Sequence, residues 1–291
     1  MPPRGTTASQ PVPSTTVPRP VTKPWPRRRG FSLVEMAVVL AIIGLLLSSA
    51  MYTLSAQTEQ RTREETQRRL EQAREALLGF AVANGRLPCP ASGTTTGVEG
   101  DSPVGSGTCT NPYNGFLPAV TLGFQPVDAQ GFALDAWNNR IRYAVAQSIN
   151  GCVGTFATPH FTSKVNLKQN GMSCQPGTTD LLVCKSSATS PAPTAGSCGP
   201  ADNALTNNSP SGTVVAVLFS PGKNYALATS AAAALAVGKA DEAANLDNDS
   251  VFISHTPNPE GSAAGGEFDD MVLWISVGTF YGRLASAGVL P

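Results

Sequence analysis

The sequence is poor in the residues that enzymes most often work with. It has 2 histidines in 291 residues, His160 and His255, and it lacks GxSxG, HExxH and phosphate-loop patterns, so nothing positive supports catalysis. No cysteine precedes Cys89 and no CxxC or HxxxH spacing occurs, which argues against a zinc site. Residues 1–30 contain no acid but six basic residues, Arg4, Arg19, Lys23, Arg27, Arg28 and Arg29. Taking those six from 20 Lys and Arg leaves 14 against 20 acids, a net charge of −6 from Phe31 onward. That balance argues against nucleic acid as the main partner, because phosphate recognition needs a basic face. No proline occurs from Phe31 to Leu87, so nothing there forbids a long helix.

What is present falls into three parts. Residues 1–26 are rich in proline, threonine and serine and too poor in apolar side chains to build a core, so disorder is expected. Residues 31–54 carry one charge, Glu35, in 24 residues. At ~1.5 Å per residue that is enough to cross a hydrocarbon layer of about 30 Å. The basic cluster Arg27, Arg28 and Arg29 places the N-terminus in the cytoplasm and everything after Leu54 outside.

Residues 55–87 read as the soluble half of the same helix. Glu59 with Arg63, Glu64 with Arg68 and Glu65 with Arg69 stand at i,i+4 with the acid first, which supports an exposed helix. An apolar stripe follows at Leu70, Ala73, Leu77, Phe80 and Ala81, the spacing of a helix laid on a core. Asn84-Gly85 and then Pro88 form a stop signal. One helix of some fifty residues, on the order of 80 Å long, is expected.

The remainder, 88–291, should be a globular head. Strands are expected at 141–147, 180–184, 213–220, 251–254 and 271–277, and a short helix within 230–245. The segments 91–115 and 150–211 look like long loops, which are uncommon unless functional or stapled. All six cysteines (Cys89, Cys109, Cys152, Cys174, Cys184, Cys198) follow the apolar run, and an even count on one side of a span points to disulfides in an oxidising compartment, with metal or free thiols as the alternative. Cys89 with Cys109 is the expected first pair. The other four should pair among themselves, with Cys152 to Cys174 and Cys184 to Cys198 preferred.

Gly30-Phe31-Ser32-Leu33-Val34-Glu35, after basic residues and before the apolar run, resembles the cleavage and methylation signal of type IV pilins and type II secretion pseudopilins. The resemblance implies that a prepilin peptidase removes residues 1–30 by cutting after Gly30 and methylates the new amine at Phe31. It also implies that the amine of one subunit meets Glu35 of its neighbour in a filament. A charge in a bilayer costs about 2.5–3.5 kcal/mol on insertion scales, and such a pair sets register because a mismatch leaves both charges unpaired. The competing reading of Glu35 is an acid favoured by the helix dipole or held near headgroups.

Asp135-Ala136-Trp137-Asn138-Asn139-Arg140-Ile141-Arg142-Tyr143 is similar to the family's D-x-W-G-x-x-x-x-Y signature, with Asn138 in place of glycine. Ser220-Pro221-Gly222 and Gly265-Gly266-Glu267-Phe268-Asp269-Asp270 resemble its later glycine-rich acidic loop. Resemblance to the calcium-binding loop makes Asp269 and Asp270 candidate ligands, with Asp247 and Asp249 as partners. The bland alternative is a polar turn at 247–250 and an Asp270 that merely opens a strand. Trp137 and Tyr143 are expected to be core anchors of the sheet.

Together these features predict an α+β protein, a long N-terminal helix packed on an antiparallel sheet with stapled loops. They imply a non-enzymatic subunit of a pseudopilus or type IV pilus, minor rather than major because the head is large. Its partners would be prepilin peptidase, other pilin or pseudopilin subunits, the inner-membrane assembly platform and the membrane, with no nucleic acid and no cofactor besides calcium. The competitor is a membrane-tethered periplasmic binding or catalytic domain that never polymerises.

Overall fold

The computed structural model describes residues 30–290 except 94–95, 151–158, 207–212, 228, 260 and 262–264, and of 49–56 and 149–150 it describes the backbone alone. The segment expected to be disordered, 1–26, lies outside the described residues, as does Cys152. In chain order the elements are α1 (Leu33–Asn84), β1 (Gly115–Phe116), α2 (Ala119–Leu122), β2 (Arg142–Val145), β3 (Ile149–Asn150), α3 (Lys164–Asn170), β4 (Gln175–Pro176), β5 (Leu182–Cys184), β6 (Val214–Ser220), α4 (Ala231–Ala236), α5 (Ala240–Ala244), β7 (Val251–Ile253), β8 (Met271–Ser276) and α6 (Val277–Ser286). The chain divides after Leu54 into two units.

In the first unit the apolar side chains of α1 from Leu33 to Leu47 are exposed. Among the described residues no helix is long and apolar enough to cross a membrane. The expected span runs on to Leu54, through side chains that lie outside the described set.

The second unit is α+β. The part of α1 that belongs to this unit carries the predicted Glu59–Arg63 and Glu65–Arg69 pairs at 3.0 and 2.9 Å. Arg68 turns to Glu65 instead of Glu64, and Glu64 accepts from Gln60 at 2.9 Å. Leu70, Ala73, Leu77, Leu78 and Ala81 are buried and belong to the same core as the sheet. Phe80 is half-buried, with the Arg86 guanidinium 5.5 Å from its ring centre. The helix stops as the sequence predicts, with Gly85 at φ +70° closing back onto Ala81 O at 2.8 Å. Only glycine adopts that backbone without strain.

Strands β1, β2, β6 and β8 form one antiparallel sheet in the order β1-β2-β6-β8. Every residue of β6 is buried, so both faces of the sheet are covered there. Phe219 meets Phe252 of β7, ring centres 5.8 Å apart, while Phe280 and Leu284 of α6 join the same core. Cys89–Cys109 and Cys184–Cys198 are bonded as expected. Cys174 is also disulfide-bonded.

Three expectations need correction. Strands β5 and β7 pair with each other in parallel, in a small sheet of their own; the buried runs predicted strands but not partners. The alanine-rich segment is two helices, broken where Gly238 takes φ +78°. The last apolar run ends at Ser276, whose hydroxyl accepts from Thr279 N at 3.3 Å and caps α6. Val277, Phe280, Tyr281 and Leu284 are buried at helical spacing.

Candidate functional site

The N-terminal signal is presented openly. Gly30 and Phe31 are exposed, Phe31 at 76 %, and among the described residues nothing lies within 4 Å of a Cβ built on Gly30. Glu35 lies in the first turn of α1. Its amide donates to Ser32 Oγ at 3.1 Å, and Ser32 N donates back to Glu35 Oε2 at 3.5 Å. Within one chain this is a capping box, which satisfies two amides at the helix start. The S-x-x-E spacing was legible in the sequence, and Ser32 is the residue overlooked beside Glu35.

In the head, the three stretches singled out from sequence converge. Asp135 is fully buried. Its Oδ1 accepts from the amides of Trp137 and Asn139, both at 2.8 Å, and its Oδ2 from the Ser220 hydroxyl at 2.6 Å. Burial lifts its carboxyl above the ordinary range, against the pull of these donors. Asn138, on the tight turn this creates, has φ +66°. That conformation suits glycine and, next best, asparagine, which explains the replacement. The turn is tied to α1 through Thr66 Oγ1, which accepts from Ala136 N at 3.2 Å, and through Arg69, which donates to the carbonyls of Leu134 and Asp135 at 3.2 and 2.6 Å. Tyr143 is the expected core anchor, fully buried with its hydroxyl donating to Pro88 O at 3.1 Å. Trp137 is not; it is only half-buried, because the turn is held by Asp135 rather than by the indole.

The second stretch follows directly. Asn139 Nδ2 donates to Gly222 O at 2.5 Å, and Gly222, at φ +70°, packs so closely on Asp269 that a Cβ would come within 1.8 Å of Asp269 Oδ1. The amides of Lys223 and Asn224 donate to Asp269 Oδ2 at 3.0 and 3.2 Å. Asp269, Asp270 and Glu242 of α5 bring carboxylate oxygens within 4.8 Å of one another, all three buried. Burial and the charge of Glu242 push the Asp269 carboxyl up to about 6 and Asp270 well above its usual value, and burial raises Glu242 too. Lys239 Nζ lies 3.5 Å from Glu242 and 2.8 Å from Glu267. Asp270 Oδ2 accepts from Asn245 Nδ2 at 2.7 Å.

Two oxygens of this group, Asp269 Oδ1 and Asn224 Oδ1, are buried without a hydrogen-bond partner. Unpartnered hard oxygens beside clustered carboxylates are the donor set a hard dication takes. Asn224, Glu267 and Asp269 also line an open groove of about 760 Å³, which gives an ion a route in. Asp247 and Asp249 stay outside this group, on an exposed turn. One oxygen of each is engaged locally, Asp247 Oδ1 by Asp249 N at 3.1 Å and Asp249 Oδ1 by Val251 N at 2.7 Å. Glu242 was missed because it is distant in sequence and joins Asp269 only through the fold.

The histidines occupy different settings. His160 is buried, its Nε2 2.9 Å from the Tyr281 hydroxyl, and burial lowers its pKa to about 4. His255 reaches Asp241, and so do Ser186 and Ser187. The carboxylate sits between hydroxyl and ring, so these residues do not form the Ser-His-Asp relay of a nucleophile.

Residues 25–51 match the model of the prokaryotic N-terminal methylation motif, the prepilin signal of type IV pilins and pseudopilins. No curated protein and no solved structure matches the chain. The chain carries the signal that marks a pilin-like protein for prepilin peptidase.

Proposed function

We propose that this chain is a structural subunit, cut after Gly30, methylated at Phe31, held in the inner membrane by residues 31–54 with its head outside, and assembled into a type II secretion pseudopilus or a type IV pilus. The observation that carries the reading is the methylation-motif match at 25–51, running into apolar side chains that stay exposed from Leu33 to Leu47. Glu35 would then have two successive partners, Ser32 within its own chain and the Phe31 amine of a neighbour. The large head favours a minor subunit. Mass spectrometry of membrane-extracted protein should give a mature chain beginning at methylated Phe31, and Glu35→Ala should abolish incorporation into filaments while leaving the head folded. Retention of residues 1–30 in membrane material would overturn the processing, and filament incorporation unaffected by Glu35→Ala would overturn the pairing of Glu35 with a neighbouring Phe31 amine.

The unpartnered oxygens favour a second, compatible reading, in which calcium occupies the group of Glu242, Asp269 and Asp270 with Asn224 Oδ1 as a further donor. Bound calcium would offset the burial that raises all three carboxyls and the repulsion that adds to it at Asp269 and Asp270, and would fix the start of β8. The head should then melt at a higher temperature in millimolar calcium than in chelator at equal ionic strength, in proportion to the ion's preference for the folded state. Asp270→Asn should remove most of that gain, and identical melting in both buffers would refute the site.

A further inference from the structure

His255 follows β7, and both nitrogens of its ring face oxygens that accept. Nδ1 lies 2.7 Å from the Thr256 carbonyl and Nε2 3.1 Å from Asp241 Oδ2. The carbonyl has no proton to give. Asp241 has none either, since its carboxylate accepts from Ser187 N at 2.6 Å, Ser187 Oγ at 2.7 Å and Ser186 Oγ at 3.1 Å. A neutral imidazole owns one N–H and would turn a lone pair toward one of the two oxygens, whereas the imidazolium donates to both. The ring also stacks on Phe268, centres 3.9 Å apart, a contact that favours a cation.

We propose that His255 is a proton-operated latch, which in its charged form ties the segment after β7 to α5 and, through Asp241, to the segment after β5. Loss of the proton surrenders one of its two hydrogen bonds and loosens that junction. The latch goes beyond the assembly reading and does not depend on it or on calcium. Each element around the ring contributes a different group: α5 the Asp241 carboxylate, the segment before β8 the uncharged Phe268, and the segment after β5 two serines that reach the ring only through Asp241. Among the described residues no other charged side chain is hydrogen-bonded or ion-paired to the ring. Lys239 and Glu242, also on this side of the head, are engaged with each other and, for Lys239, with Glu267.

Burial of the ring opposes its charge, but the bonds to Asp241 and Thr256 outweigh it, so the folded pKa stands above 6.5. A raised histidine stabilises fully below its unfolded pKa, and that contribution is lost as pH climbs through the folded one. His160 offers a contrast within the same chain, since burial without an ionic partner among the described residues lowers its pKa to about 4.

The test is a histidine NMR titration of the full chain in detergent, together with melting temperature against pH for the wild type and His255→Gln. His255 should titrate above about 6.5, Asp241→Asn should lower that midpoint, and the melting gap between wild type and His255→Gln should be widest near pH 5.5 and narrow toward about pH 9. A midpoint at or below about 6.5, or a gap that is constant with pH, would reduce the contact to packing. Should Asp241→Asn fail to fold, the wild-type midpoint and the His255→Gln gap still decide.

Discussion

Helix α1 treats its apolar side chains in two opposite ways. Between Leu33 and Leu47 they are exposed, Leu33 at 90 %, whereas Leu70, Ala73, Leu77 and Ala81 are buried almost completely. Secondary structure and side-chain type are shared, so the difference is tertiary. The second set shares one core with β6 and α6, and among the described residues of the first unit nothing buries the first set. Apolar surface favours burial by about 25 cal/mol per Å², so the exposed stretch is the part of α1 that would gain most from further cover. One region is covered within its own unit, and the other exposes its apolar side chains.

The sharpest way to break the self-sufficient side is to disturb the point where its three sequence motifs meet. Gly222→Ala places a methyl 1.8 Å from Asp269 Oδ1 on a residue at φ +70°. Overpacking and backbone strain act together, so a loss of about 3 kcal/mol or more is expected, read by urea denaturation. A loss under about 1 kcal/mol would mean that the Asp269 contact yields easily.

A smaller loss should follow from opening a staple. Cys89–Cys109 joins the segment just after α1 to a position 20 residues on, and closing a loop of that size contributes roughly 3 kcal/mol in the chain-entropy model, often less in practice. Replacing both cysteines with alanine should lower the urea midpoint of the head but not filament incorporation, if assembly is driven by the first unit. Loss of assembly from a still-folded head would blur the contrast between the two regions.

How much of this could be read from the sequence depended on the range of the interaction involved. The stop at Asn84-Gly85 and the extent of β6 came from signals within a few residues. The start of α6 was hidden because Val277 continues the apolar run of β8, and only the Ser276 cap separates them. The parallel pairing of β5 with β7 joins Leu182 to Val251, a contact no local pattern encodes. At the candidate site, resemblance led to Asp269 and Asp270, while Glu242 and Asn224 enter because the fold carries α5 and the residues after β6 to them. At the Asp135 signature both aromatic residues were expected in the core, and Tyr143 is there while Trp137 is half-buried. The buried Asp135 carboxylate is the hub, and Trp137 is peripheral.

The smallest effect concerns the exposed region and tests what Glu35 does. In a single chain Glu35 and Ser32 form one capping box, so a purely local role would make the two residues nearly equivalent. Ser32→Ala removes the hydroxyl that accepts from Glu35 N and should cost about 1 kcal/mol at the helix start, but it leaves the carboxylate charge in place. Glu35→Ala removes the charge. If Glu35 pairs with the amine of a neighbouring Phe31, Ser32→Ala should still assemble, with only added fraying in the first turn, and Glu35→Ala should not. Filament yields measured side by side, at matched membrane levels of the two variants, separate the roles. Equal losses would return Glu35 to the helix cap and remove the argument that the exposed half of α1 is keyed to a second copy of itself.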